Sequence, residues 1–245
     1  MEKDKEDKVM SLTKEQIKEF KVVEKEAEDS YDFRSIADDI AEAGDKEWAK
    51  KVYEKAEENA VNSLDYTNLA ESINIKLGDK IKSDELYEIA KKKAEFWYDY
   101  KNLAESLYKY LGNEKKSKFF YIKSEKIADE SYQYRKLAES IWITLKDTNW
   151  ANKIYKKDKE KAKKSNGFCI LADSLFENLG DIDMAKIIYK QAEDKAKDYY
   201  DYKNIAYSIH QNLGDQEKAE RLYVKAEEMA TESYEYIDIG NSIYE

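Results

Sequence analysis

Cys169 and His210 are the one cysteine and the one histidine of this sequence, and a thiol beside an imidazole is the simplest nucleophile–base pair it could build. No third residue of the orienting or oxyanion-stabilising kind marks either of them. A single cysteine excludes an intrachain disulfide and a multi-cysteine zinc site, and a single histidine excludes a His-rich metal centre. Aspartate and glutamate total 53. They are spread along the chain in the manner of solvated helix faces with i,i+4 partners rather than gathered as a catalytic dyad. The seven glycines form no phosphate-binding loop. The reading at this level is a chain without catalytic residues, cofactor or metal.

The elements that carry these residues are helical. The chain of 245 residues contains no proline, and proline is the residue that helix interiors exclude. A helical content near 80% with no β-sheet is expected. The formal net charge is −10, with 39% of residues charged. That balance gives no general attraction for nucleic acid or anionic lipid. No apolar run approaches the roughly 18 residues of a membrane helix, and no apolar segment of the signal-peptide kind opens the chain. A cytoplasmic protein is expected.

Three columns of residues share one period. Glycine recurs at Gly44, Gly78, Gly112, Gly180 and Gly214, in steps of 34 with one step doubled, and Lys146 stands at the missing position. An aliphatic residue followed by a small one recurs from Ile36-Ala37 through Leu103-Ala104 to Ile239-Gly240. Tyrosine recurs at 53, 87, 121, 155, 189 and 223. Each unit divides into two helices. A serine at 30, 63, 131, 165 or 233 is read as the N-cap of the first. Tyr100, Leu103, Ala104 and Leu107 illustrate its apolar stripe, and the loop glycine ends it. Asp or Asn then opens the second helix, whose stripe is Ala49, Tyr53, Ala56 and Ala60 in the first unit and Ala185, Tyr189, Ala192 and Ala196 in the fifth.

The period and the helix–turn–helix unit resemble the tetratricopeptide repeat family. The matching residues run from Tyr66 through Leu69, Ala70 and Ile73 to Gly78-Asp79, Ser83, Tyr87 and Ala90. The family's proline is absent, and repeats 2 to 6 carry one extra residue near the end of the first helix. The expected fold is all-α, a right-handed α–α superhelix (a solenoid) of about 14 helices, its handedness implied by the resemblance. It is read as one solenoid domain over 1–245. Residues 1–11 form a charged tail, 12–28 a half repeat with Phe20, Val23 and Ala27 on its stripe, 31–233 six repeats, and 234–245 a terminal half repeat.

In that family the first helices line a ligand groove, so three columns carry over to it by position. One holds Arg34, Thr67, Lys101, Arg135, Cys169 and Lys203. Four residues on stand Asp38, Glu71, Glu105, Glu139, Asp173, Tyr207 and Asn241. Three further on stand Asn74, Tyr108, Trp142, Phe176 and His210. The charged columns could simply pair along each helix, and the aromatic column could extend the core. As groove residues, the aromatics flanked by charge suit a peptide or protein segment. The candidate groove is therefore Lys101, Glu105, Tyr108, Arg135, Glu139, Trp142, Phe176, Lys203, Tyr207 and His210. Cys169 and His210 fall in columns that neighbouring repeats fill with ordinary polar or aromatic residues, which argues against a catalytic pair. The row of carboxylates argues against capture of a C-terminal carboxylate, and the basic column against a base-reading RNA code.

Repeat 4 is irregular. It lacks the loop glycine, and Asp158 stands where Ala56, Ala90, Ala192 and Ala226 occur. A partly buried contact from Asp158 to a lysine or a backbone donor is expected. The same helix carries Lys153, Lys156, Lys157, Lys159, Lys161, Lys163 and Lys164. Of these, Lys153, Lys156, Lys157, Lys161 and Lys164 form a candidate basic patch for an acidic partner, with nucleic acid not favoured. In the last helix Tyr236, Ile239 and Ile243 occupy a stripe that other repeats cover, with Ile237 and Tyr244 close by. Ile239, Ile243 and Tyr244 form a candidate end interface, for self-association or for a partner. The function expected is a non-catalytic protein- or peptide-binding scaffold or adaptor. The alternatives are a regulator or inhibitor that docks on a larger complex through the groove or the basic helix, and a peptide-sensing regulator.

Overall fold

The computed structural model describes residues 12–244, and of Tyr244 the backbone alone. The charged tail at 1–11 and the Tyr244 side chain lie outside the described residues. Fourteen α-helices and one short π-helical turn account for 84% of the described residues, and there is no strand among them. The α-helices are α1 (Lys14–Glu26), α2 (Ser30–Glu42), α3 (Lys46–Glu58), α4 (Ser63–Ser72), α5 (Lys80–Lys93), α6 (Trp97–Leu111) and α7 (Glu114–Ile127). Then follow α8 (Ser131–Leu145), α9 (Thr148–Lys161), α10 (Ser165–Leu179), α11 (Ile182–Lys195), α12 (Tyr199–Leu213), α13 (Gln216–Met229) and α14 (Ser233–Tyr244). None is long and apolar enough to cross a membrane.

The repeat pattern marks no boundary along the chain, yet the helices group into two compact units, Met1–Ser124 and Glu125–Glu245. In the first unit α2 packs on α3 and α4 on α5, and the first helices α2, α4 and α6 are neighbours in turn. In the second unit α8 packs on α9, α10 on α11 and α12 on α13, with α8, α10, α12 and α14 as successive neighbours. Each unit is thus a stack of helix pairs, as expected of a helical solenoid.

The repeated columns are the core. All six column tyrosines are buried, with Tyr121 and Tyr189 fully so, and Ala49, Ala56, Ala185 and Ala192 expose nothing. Small residues let paired helices approach, and the tyrosine ring fills the space beside them. Ala60 and Ala196, at the ends of their stripes, are half-buried. Helix α1 is looser: none of its residues is buried, and Val23 is 42% exposed.

The loops follow local chemistry. Asp45, Asp79, Asn113, Asp147, Asp181 and Asp215 each accept the backbone N–H three residues on, at 2.9–3.1 Å, and so start the second helices. The five loop glycines are all left-handed, and Lys146 at the glycine-less position has the same conformation, with φ +55°. The ammonium of Lys146 rests 5.1 Å from the centroid of the Trp142 ring.

The starts of the first helices differ from the sequence reading. The serines at 30, 63, 131, 165 and 233 are the first residues inside their helices, not N-caps. Asp29, Asn62 and Asp198 are the capping side chains. In α6, α8 and α14 the residue at the third helical position reaches back, as where Asp99 accepts the N–H groups of Glu95 and Phe96 at 3.0 and 2.9 Å, whereas α10 has Gly167 there and no side-chain cap. Ser30, Ser63 and Ser165 are buried in the packing and Ser131 turns to Asp158, rather than to the free N–H groups, while Ser233 is exposed. The extra residue of repeats 2 to 6 also has two outcomes. In repeat 2 it is absorbed as a π-helical turn, Ile73–Leu77, whereas α6, α8, α10 and α12 run as continuous 15-residue α-helices.

Candidate functional site

The basic column does not lie open in a groove. Arg135 is buried and its guanidinium donates to the Gly167 carbonyl on α10 at 3.4 Å. Lys203 is buried and its ammonium meets Asp238 on α14 at 2.8 Å. Arg34 reaches Asp38 on its own helix and Ser72 at the end of α4. Thr67 is buried and donates to the Ser63 carbonyl of its own helix. Lys101 is half-buried and bound to both oxygens of Glu105 at 2.9 Å. These cations tie helices together or neutralise their own column. The expectation that Arg135 and Lys203 face a ligand is corrected: the first helices pack closely enough to enclose them.

The acidic column is tied to a column that sequence reading passed over. Ser72, Ser106, Ser140, Ser174, Ser208 and Ser242 share the 34-residue period. Ser72 donates to Asp38 at 3.1 Å, Ser174 to Glu139 at 2.9 Å and Ser208 to Asp173 at 3.3 Å. The column tyrosines add to this lattice. The Tyr53 hydroxyl donates to Asp38 at 2.5 Å and that of Tyr189 to Asp173 at 2.6 Å. Asn212 donates to Asp173 at 3.0 Å. Burial raises the Asp173 carboxyl above its ordinary range, against the pull of these donors, and burial likewise raises Glu71. Glu139 also pairs with Lys136 at 2.8 Å. The acids are structural links between successive first helices. The serine period was visible in the sequence, but nothing there marked serine as the partner of the acid one repeat earlier.

What remains open on this face is aromatic. Tyr108 on α6 is half-buried. In the second unit Trp142, Phe176 and His210 hold equivalent positions on the neighbouring helices α8, α10 and α12, the first two half-buried and His210 exposed. Tyr207, three residues before His210, is 36% exposed. These side chains are neither core nor fully solvated.

Cys169 is buried, and its thiol lies 3.4 Å from Ser208 Oγ and 3.8 Å from the Asn204 carbonyl oxygen. Burial first, and then the nearby Asp173, push its pKa up to about 12. A reactive cysteine has the opposite environment, electropositive and accessible.

Repeat 4 contains the sharpest polar anomaly. Asp158 exposes none of its surface. Its Oδ1 accepts a short hydrogen bond from the Ser131 hydroxyl, and its Oδ2 has no partner. The expected lysine or backbone donor is replaced by a side-chain hydroxyl, because position 158 faces the start of its own first helix. Ser124 shows the same 27-residue geometry one repeat earlier, donating to the Trp97 carbonyl at 2.7 Å. Where the column is alanine, at Ala90 and Ala192, the corresponding Ser63 and Ser165 hydroxyls are buried without a partner.

The basic patch divides. Lys157 is engaged with Glu125 at 2.8 Å. Lys153, Lys156, Lys161 and Lys164 are exposed, and none of them pairs with a carboxylate among the described residues. At the end, Ile239 is 1% exposed and belongs to the core, which corrects its place in an open interface: α14 packs on both α12 and α13. Tyr236 and Ile243 are 50% and 45% exposed. No protein-family profile and no curated protein matches this sequence.

Proposed function

We propose that this protein is a tetratricopeptide-like, non-catalytic scaffold that binds a peptide or protein segment on the face of its first helices. The observation that carries the reading is the aromatic row of the second unit. Trp142, Phe176 and His210 stay accessible at equivalent positions on adjacent helices, while the charges around them are largely neutralised within the fold. Half-exposed aromatic side chains on a rigid support gain burial on binding at little entropic cost, which is why such residues dominate interface energetics. The buried, unreactive setting of Cys169 supports a binding role over catalysis. A cytoplasmic setting is part of the proposal.

Selection of displayed random peptides on the intact protein tests this. Selected peptides are expected to lose about tenfold or more in affinity for Trp142→Ala combined with Phe176→Ala, each side chain contributing about 1 kcal/mol or more. Peptides that bind the double variant as well as the parent would place recognition elsewhere.

A further inference from the structure

The second helices are tied to one another by a repeated electrostatic device. In the first unit Glu24 on α1 receives the indole N–H of Trp48 at 3.2 Å and the ammonium of Lys55 at 2.8 Å, both on α3. Glu57 on α3 pairs with Lys82 on α5 at 2.8 Å. In the second unit Glu125 receives the indole N–H of Trp150 at 3.3 Å and Lys157 at 2.8 Å. Glu193 on α11 pairs with Lys225 on α13 at 2.8 Å. Between α9 and α11 no ion pair is formed among the described residues. Three repeats after Glu57 the sequence has Lys159, and three repeats after Lys82 it has Met184. The acid has become a base, and its partner has become apolar.

The consequence is an open cleft of about 560 Å³ between α9, α10 and α11. Leu171, Leu175, Met184 and Ile188 give it apolar walls, and Lys156, Lys159 and Glu160 stand on the α9 side. The equivalent cleft between α3 and α5 has about 400 Å³; Ile73, Leu77 and Ile81 line it as well, but Glu54, Glu57, Lys82 and Glu85 stand at it and the Glu57–Lys82 pair crosses it. Beside the α9–α11 cleft, Ile182, Met184 and Ile187 are exposed at 46%, 39% and 51%. Lys153, Lys156, Lys159, Lys161, Lys163 and Lys164 lie along the α9 wall and just beyond it without an ion-pair partner among the described residues, in a protein of net charge −10.

We propose that the α9–α11 cleft binds an acidic peptide segment in which a large apolar side chain is flanked by carboxylates. The apolar side chain enters between Leu171, Leu175, Met184 and Ile188, and the flanking carboxylates meet Lys156 and Lys159. Charge complementarity selects this occupant: six unpaired lysines on and just beyond α9 outnumber its one exposed acid, Glu160, and this basic wall beside an apolar interior matches an anion with an apolar centre. A nucleic acid fits less well. The interior is apolar and offers no row of aromatic faces for stacked bases. The Asp181 carboxylate is committed to capping α11, accepting the Met184 N–H at 3.0 Å. The cleft uses none of the first-helix aromatics, so it is a second surface rather than an extension of the first.

Fluorescence anisotropy with the intact protein tests the proposal. The probe is a fluorescein-labelled peptide of acidic residues around a central Phe-Leu, and the control peptide has Ala-Ala at its centre. Saturable binding of the probe is expected, with the control weaker by about tenfold or more. The variant combining Lys159→Glu with Met184→Lys rebuilds the Glu57–Lys82 pairing in this cleft. It is expected to keep its helical spectrum and to lose about tenfold in affinity. Lys156→Gln with Lys159→Gln changes two side chains outside the core; it is expected to weaken binding and to flatten its salt dependence. Trp142→Ala is expected to bind the probe as the parent does, which separates this site from the first-helix surface. Absence of saturable binding, equal binding of the control peptide, or parent-like affinity in both lysine variants would overturn the proposal. So would a short oligothymidylate that binds more tightly than the peptide and displaces it.

Discussion

Replacing Asp158 by asparagine is expected to stabilise the protein at neutral pH, and to do so less as the pH falls. Asp158 is fully buried, one carboxylate oxygen has no partner, and burial raises its pKa from 3.8 to about 6 against the favourable effects of Ser131 and Arg135. The charge of Glu139 adds to the rise. A carboxyl whose folded-state pKa lies above its unfolded value binds its proton more tightly when folded. Its neutral form carries no charge penalty below pH 3.8, and the penalty grows as the pH rises through 3.8 to 6. The rise of about two units is worth about 3 kcal/mol once both states are ionised, and about 1 kcal/mol at pH 4.5. Asparagine is close to the same shape, can still accept from Ser131 and carries no charge. Its amide N–H groups fall at the partnerless Oδ2 position, at a cost of about 1 kcal/mol, so Asp158→Asn is expected to gain about 2 kcal/mol at pH 7.5 and close to nothing at pH 4.5. Asp158→Ala strands the Ser131 hydroxyl, at a cost of about 1 kcal/mol, and is expected to gain about 2 kcal/mol at pH 7.5. Urea unfolding followed by circular dichroism, parent against variant at both pH values, measures the difference directly. An asparagine variant less stable than the parent at pH 7.5, or a difference that does not change with pH, would refute the reasoning.

Lys146 holds a left-handed backbone that the other loops give to glycine, so Lys146→Gly is expected to raise stability by about 0.5–1 kcal/mol, read as a higher midpoint in thermal unfolding. Ser131→Ala removes the one hydrogen bond to the Asp158 carboxylate and is expected to destabilise by about 1–3 kcal/mol at neutral pH. Ser165→Ala removes a buried hydroxyl that has no partner and is expected to be neutral or stabilising; the same urea titrations compare the two. The Cys169 thiol, buried and raised to about 12, is expected to react with a thiol reagent such as dithiobisnitrobenzoate at pH 8 only after unfolding, which absorbance at 412 nm follows.

Helix pairs, loop conformations and core columns were legible in the sequence because each is decided within a few residues. An aspartate that can accept a backbone N–H three positions on starts a helix wherever it stands, as at Asp45 and Asp181. Alanine and tyrosine at fixed helical offsets face the same side of the same helix, and that side is buried in every repeat. Even Lys146 was recognisable as a loop position from its spacing. The serines at the starts of the first helices show the limit of local reading: one residue separates a capping hydroxyl from a buried one, and composition does not distinguish them.

Tertiary structure decided which members of a column are available. The sequence places Arg135, Lys203 and Trp142 on one face of their helices, but how near the next helix comes determines that the first two are enclosed while Trp142 stays half-open. It also determined that acids pair with serines one repeat away, and that an extra residue becomes a π-turn in repeat 2 but extends the α-helix in repeats 3 to 6. The cleft beside Lys159 and Met184 is of this kind. Each residue is ordinary in its own helix, and their meaning arises because two second helices that lose their ion pair leave apolar walls between them. Periodicity specifies the direction in which a side chain points. The distance to what it meets is set by the packing of neighbouring helices, and that distance separates a structural contact from an open surface.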